Sequence, residues 1–224
     1  MIVSYTRKLA RQLVYIFLKP FLILVKQENI VILQATNNYK YSDNTKYLFE
    51  YLSVHSNLKP FWVTDSQEII DYLEQRNYNC ISIKKNLFKY FIIALKAKIV
   101  IDNGISFFNP LKLLTKRVIK IHLGHGNGSK TVRTQKGSVL GFIDETKKYN
   151  SFDYVNYTSD YLIQNAGINQ FKIQKEKLIN LGFPRCDHFF DKEIVDKSYN
   201  EKKMAKSIYC GELSKNCKIL YYTP

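Results

Sequence analysis

The chain has 224 residues, 46% of them hydrophobic and 14% aromatic, enough apolar material for a sizeable core and too much for a disordered chain. Its formal net charge of +15 favours a polyanionic partner: nucleic acid, anionic lipid or a phosphate polymer. Four cysteines, Cys80, Cys186, Cys210 and Cys217, stand apart without metal-like pairing, which suits reduced structural thiols in a cytosolic environment.

The charge is concentrated in two places. Residues 1–28 hold five bases and one acid, and residues 84–136 hold twelve Lys and Arg against Asp102 alone. In the first stretch, wound at about 100° per residue, Arg7, Lys8, Arg11, Lys19 and Lys26 fall within an arc of about 120°. Leu9, Leu13, Ile16 and Phe17 lie opposite, while Leu18, Leu22 and Val25 intrude on the basic side. Lys19 and Pro20 split the apolar run, leaving it short of the roughly 20 residues a spanning helix needs. Residues 1–28 are therefore expected to form an amphipathic helix lying in a membrane interface, with those five bases as the membrane-binding set. The alternative is a first helix packed on its own domain. No small-residue cleavage site follows, which argues against a signal peptide.

From residue 29 the pattern alternates. NIVILQA (29–35) reads as a strand, and DNTKYLFEYLSVHSN (43–57) as a helix capped by Ser42 or Asp43. KPFWVTD is a strand, SQEIIDYLEQR a helix opened by Ser66, and YNCISI a strand. The helix NLFKYFIIALKAK and the strands IVID and VIKIHL follow. Then come the strand DYVNYTS, a helix from about Asp160 with Ser159 as its cap, the strand KLINLGF, a polar helix over about 191–209, and KILYYTP. Strands separated by helices predict βαβ units. The fold class is α/β: a Rossmann-like parallel sheet with helices on both faces over residues 29–224, preceded by the amphipathic helix.

In such sheets ligands bind beyond the carboxyl ends of the strands. The sequence GHGNGSK (124–130) follows VIKIHL directly and so occupies that position. It is neither a P-loop, because Ser129 separates Gly128 from Lys130, nor a dinucleotide fingerprint, because its glycines run G-x-G-x-G. Glycines here let the main chain approach a phosphate and offer it N–H groups. An imidazole beside them can accept a proton near neutral pH.

Four stretches in order carry a family resemblance. HGNGSK (125–130) resembles the His-Gly-x-Pro/Gly-x-Lys element of the CDP-glycerol:poly(glycerophosphate) glycerophosphotransferases, which build teichoic acids and related polyol-phosphate polymers. YSDNTKYLFEYL (41–52) resembles that family's Asn-Pro-Lys helix opening, with Thr45 where Pro is usual. The stretch 157–187 resembles its Thr-Ser strand end, helix and Gly-x-Pro-Arg-x-Asp signature, here Gly182, Pro184, Arg185 and Asp187. KILYYTP resembles the strand that usually continues into Thr-Trp-Arg.

The resemblance implies two facing Rossmann-like domains of the GT-B glycosyltransferase type. Residues 29–224 correspond to the N-terminal, acceptor-side half, and a C-terminal donor-nucleotide domain would come from a partner chain, a homo-oligomer or a missing continuation. It implies transfer of glycerol phosphate from CDP-glycerol, or of ribitol phosphate from CDP-ribitol, to a lipid-linked or polymer hydroxyl at the cytoplasmic face of a cell membrane. No permanently bound cofactor and no metal are implied. His125 is the implied catalytic base. Gly126, Gly128, Lys130, Arg185 and Asp187 are the implied substrate-binding residues, with two alternatives open: Arg185 as a brace of its turn, and Asp187 as an orienting partner or helix cap. His122, on the strand itself, reads as structural.

Other readings remain. A nucleotide-sugar glycosyltransferase or epimerase would use the same architecture, and a noncatalytic membrane- or polyanion-binding remnant would need no chemistry. Nucleic-acid binding would explain the basic region, but no nucleic-acid motif accompanies it, so nucleic acid is not an expected partner.

Overall fold

A computed structural model describes residues 25–36, 39–104, 118–126 and 146–187. By packing the chain divides into two compact units, Met1–Arg185 and Cys186–Pro224, and the architecture below belongs to the first, apart from the last two residues of its final helical turn. Seven parallel strands form one sheet in the order β3-β2-β1-β4-β5-β6-β7. They are β1 (Ile30–Gln34), β2 (Lys59–Val63), β3 (Cys80–Ile81), β4 (Ala97–Asp102), β5 (Ile119–His122), β6 (Tyr154–Tyr157) and β7 (Leu178–Asn180). The helices are α1 (Asp43–His55), α2 (Gln67–Glu74), α3 (Leu87–Lys96), the short α4 (Asp160–Leu162) and the helical turn α5 (Pro184–Asp187). The expected α/β parallel sheet is present. Arg7, Lys8, Arg11 and Lys19 of the expected membrane helix lie outside the described residues, as do Gly128, Lys130, the polar helix at 191–209 and KILYYTP. Lys26 is exposed, in irregular chain just before β1.

Both faces of the sheet are covered because its central strands are apolar at successive positions, the pattern a doubly buried parallel strand requires. Ile30, Ile32 and Val100 face α3, where they pack with Tyr90, Ile93 and Ala94. Val31, Leu33 and Ile101 face the other way, onto Phe49 of α1 and Leu73 of α2, with Trp62 fully buried between. A third cluster gathers Phe152, Val155, Tyr157, Phe171 and Ile173 around β6. The chain segment before β1 is tied to the end of α3: Gln27 Nε2 donates to the Ala97 carbonyl at 3.0 Å, and Lys96 Nζ meets Glu28 at 2.8 Å.

Three local expectations change. Ser42 and Ser66 precede α1 and α2 without a side-chain capping bond, whereas Ser159 Oγ does accept from Leu162 N–H. The helix expected from Asp160 widens after one turn into a π-helical stretch, Ile163–Gln170. There Gly167 lies so close to Leu178 and Tyr157 that an added Cβ would sit 3.0 Å from Leu178 Cδ1. The strand KLINLGF shortens to three residues because Leu181 and Gly182 are drawn off the ladder by the side chain of Asn156.

Thr45, in the first turn of α1, is fully buried, and its hydroxyl has no hydrogen-bond partner among the described residues. Thr45→Val keeps the shape and removes the orphaned group, so it is expected to raise stability by about 1 kcal/mol. The measurement is the urea midpoint at constant slope; a lower midpoint would show that the hydroxyl is satisfied.

Candidate functional site

The strand order reverses beside β1: β2 and β3 extend to one side and β4 onward to the other. This is the switch point at which open α/β sheets leave a crevice past their carboxyl ends. Register places Gln34, Asp102 and His122 in one row across β1, β4 and β5 at that end of the sheet.

Beyond His122 the chain runs through Leu123, Gly124, His125 and Gly126. Leu123 N–H still bonds the Asp102 carbonyl at 2.9 Å, after which the ladder stops. Gly124 has φ +70° and Gly126 φ +139°, conformations that L side chains rarely adopt. Between them His125 is exposed. A Cβ at position 126 would come within 3.2 Å of Arg185 Nη2, so a glycine there lets the guanidinium lie against the loop.

Arg185 arrives from the turn after β7. Its Nη1 pairs with Asp43 Oδ1 at 2.9 Å, and its guanidinium sits 5.2 Å from the Phe183 ring. Asp43 opens α1 at φ +68°, a left-handed conformation that Asp tolerates better than most residues. Its carboxylate also accepts the Asn44 N–H at 2.8 Å. Asn44 is fully buried: its Nδ2 donates to the Gly124 carbonyl at 2.8 Å, and its Oδ1 accepts from Arg185 N–H at 3.4 Å. On the neighbouring strand Asn156, also buried, donates to the Gly182 carbonyl at 2.6 Å and accepts from Leu181 N–H at 3.0 Å. Two asparagines thus hold the two loops.

Of the residues expected at the site, the structure brings His125, Gly126 and Arg185 together. Asp187 is exposed in the second unit. From the sequence Asp43 reads only as a helix cap and Asn44 only as part of a helix opening, and Asn156 is not singled out. The available signals were an Asp-Asn pair at a helix start and an asparagine within the strand DYVNYTS, a polar residue where burial demands hydrogen bonds.

Beneath the loop the polar row is buried. Asp102 is 1% exposed, and burial pushes its carboxyl up to about 7 against the opposing pull of N–H donors from Gly104, Gln34 and Asn103. Gln34 Nε2 reaches Asp102 Oδ2 at 3.2 Å while Gln34 Oε1 is left without a partner. Turning that amide by half a turn would bring its oxygen to a protonated Asp102, which can donate to it. His122 packs edge-on against Tyr149, its ring also stacked at a tilt on Phe152, 5.1 Å away. Burial holds it down to about 4, with His125 adding in the same direction and the Gly104 main chain opposing. It is a neutral core imidazole rather than a base. Among the described residues no group of three His, Cys, Asp or Glu side chains is placed to hold a metal ion.

Known proteins share this architecture. The sequence pattern of the family described as CDP-Glycerol:Poly(glycerophosphate) glycerophosphotransferase matches residues 16–224. A teichoic acid glycerol-phosphate transferase of Staphylococcus aureus (strain NCTC 8325 / PS 47) is 25% identical over 235 residues, covering 100% of this chain and 57% of its own length. The chain thus spans little more than half of the curated relative it matches. Among solved structures, the wall teichoic acid polymerase TagF superposes with a TM-score of 0.58 at 18% identity, covering 96% of this chain and 55% of its own. A variant of the same polymerase gives 0.59 at 15% identity, with coverage of 95% and 55%. At these identities the likeness is one of fold.

The buried row generates a pH signature. Asp102 is protonated in the folded state up to about 7 and ionised in the unfolded chain above about 4, so unfolding releases a proton and stability falls as pH rises between those values. His122 acts in the opposite sense: below about 6.5 unfolding takes up a proton, and stability falls as pH drops toward 4. Asp102→Asn, neutral at every pH, is expected to match the parent near pH 4 and to gain on it through pH 7 by at most about 1.4 kcal/mol per unit. Above pH 7 the difference should stay constant. Urea melts from pH 4 to 8 check this, and parallel curves for the two proteins would refute it.

Proposed function

Because the chain belongs to the CDP-glycerol:poly(glycerophosphate) glycerophosphotransferase family, whose pattern matches residues 16–224, we propose that it is the acceptor-side part of an enzyme that transfers glycerol phosphate from CDP-glycerol to the hydroxyl of a lipid-linked acceptor. The observation that carries this reading is His125, exposed at the carboxyl end of the parallel sheet on a glycine loop held from two other elements. One solved structure of the polymerase TagF is described as soaked with CDPG, which supports a cytidine diphosphate donor here.

The acceptor hydroxyl attacks the phosphorus that bears glycerol. A new O–P bond forms, the bond to the bridging pyrophosphate oxygen breaks, and CMP leaves. The hydroxyl proton passes to the His125 imidazole, a side chain of the kind that serves as a general base. Arg185, with Nη1 committed to Asp43 and Nη2 over Gly126, supplies positive charge beside the transferring phosphoryl group. The N–H of Gly126 contributes to the phosphate cradle, and the family motif adds Gly128, Lys130 and Asp187 to the substrate-binding set. The family motif alone supports Gly128, Lys130 and Asp187, whereas for His125, Gly126 and Arg185 the loop geometry supports it as well.

A lipid-linked acceptor places the reaction at a membrane surface, on its cytoplasmic face. No helix among the described residues is long and apolar enough to cross a membrane. An outward apolar face on α3 suits attachment: Leu87, Phe88 and Ile92 are exposed, Phe88 by 75%. Lys84, Lys85 and Lys89 are exposed around them, and α3 contains no acidic residue. In a parallel sheet the helix that follows a strand starts at the strand's carboxyl end. The basic, apolar start of α3 therefore lies at the same end of the sheet as His125. This pattern fits an anionic lipid surface; Arg7, Lys8, Arg11, Lys19 and Lys26 are assigned to such a surface by the amphipathic pattern of residues 1–28 alone.

The activity is tested by mixing the full chain with a separately produced remaining segment of the Staphylococcus relative and measuring CMP release. CDP-glycerol, CDP-ribitol and UDP-sugars serve as donors with a lipid-linked acceptor. CDP-glycerol is expected to give the highest rate, and His125→Ala to lower it about 10²- to 10⁴-fold with the fold intact; full turnover by the variant would sink the assignment of the base. For the surface, cosedimentation with phosphatidylglycerol vesicles should exceed that with phosphatidylcholine vesicles. The Lys85→Gln, Lys89→Gln double variant should weaken binding about thirtyfold, from about 1 kcal/mol per lysine. Equal binding to both vesicle types would remove the membrane surface from the proposal.

A further inference from the structure

The glycine at 124 creates a difficulty that its neighbours must solve. Its left-handed conformation is easy for glycine, and the same freedom makes the peptide joining Gly124 to His125 easy to flip. In a trans peptide the carbonyl and the N–H point in opposite directions. Whatever holds the Gly124 carbonyl therefore decides which way the His125 N–H faces.

Asn44 holds that carbonyl, at 2.8 Å from Nδ2. It is fully buried, where leaving a hydrogen bond unmade is costly, so the contact is enforced. The other end of the carboxamide accepts from Arg185 N–H. A single rigid plane thereby links α1, the loop after β5 and the turn after β7, with partners 80 and 141 residues away in sequence. Only a carboxamide offers both a donor and an acceptor in this way. Asp43 secures Asn44 in turn, since one carboxylate oxygen takes the Asn44 N–H at 2.8 Å and the Arg185 guanidinium at 2.9 Å.

Directed away from Asn44, the His125 N–H has no partner among the described residues. We infer that Asn44 is a positioning residue that locks the Gly124–His125 peptide so that the His125 N–H donates to a phosphoryl oxygen while the imidazole attends to the hydroxyl. The inference rests on the transferase reading for the identity of that oxygen. The locked peptide itself is a statement about this chain alone.

Two variants test it. Asn44→Ala removes both bonds. Asn44→Asp keeps the acceptor toward Arg185 N–H and loses the donor to Gly124, so it discriminates even where the alanine variant fails to fold. In the parent chain, the ¹⁵N–¹H resonance of the His125 amide is expected to shift on titration with inorganic phosphate. In Asn44→Asp the resonance should start at a different position and require at least tenfold more phosphate. In the mixed turnover assay Asn44→Asp should lower kcat about ten- to a hundredfold with the KM for CDP-glycerol changed less than threefold. If the parent amide ignores phosphate, or if Asn44→Asp titrates like the parent, the inference falls. If the parent mixture turns over and Asn44→Asp matches it, the inference falls and the transferase reading stands. Absence of turnover in the parent would remove the transferase reading, and the phosphate titration alone would then decide on the locked peptide.

Discussion

Parallel pairing of β4 beside β1, with β2 and β3 on the far side, is the constraint from which the rest of this structure follows. Parallel strands all end at the same edge, so one pairing brings the residues after Gln34, Asp102 and His122 to a common rim. Because both faces are sealed by apolar clusters, polar chemistry has no place along the strands themselves. It collects at the rim, where the ladder ends and main-chain groups are free to meet something else.

The rim is also where the buried polar groups are least satisfied. Gln34 Oε1, Thr45 Oγ1, His122 Nδ1 and both polar atoms of Asn103 lie buried without partners among the described residues, and burial lifts the Asp102 carboxyl toward neutrality. An apolar rim would be more stable by the ordinary cost of such groups. Departures of this kind concentrate at functional sites, and here they surround the strand ends from which the histidine loop departs. The asparagines are the exception: Asn44 and Asn156 use both ends of their amides on loop main chain. They spend buried polarity on loop geometry, and the loops they hold are the two that carry His125 and Arg185.

Much of the fold could be read along the chain because short β-branched runs alternated with amphipathic helices, and a run such as IVIL is apolar at every position only when both faces are buried. His125 and Arg185 were legible for a different reason: glycines at fixed spacing after a strand, and Gly-x-Pro-Arg-x-Asp after another, are local patterns. Asn44 was not legible as a site residue. It stood in a recognised helix opening, but its partners are a carbonyl and an amide from remote segments, and no local pattern records which backbone group an asparagine will meet. The π-helical widening at Ile163–Gln170 was equally hidden, since it accompanies the approach of Gly167 to Leu178 and Tyr157.

By itself, then, the sequence determined the periodicities, the positions of the glycines that permit left-handed backbone, and the identity of the imidazole and guanidinium that the family motif requires. Tertiary structure alone decided which loops face each other and how each is oriented. The physical reason is range. Backbone propensity and side-chain period act over a few residues, whereas the direction of the Gly124–His125 peptide is set by a carboxamide 80 residues away, brought there by the packing of α1 across the sheet.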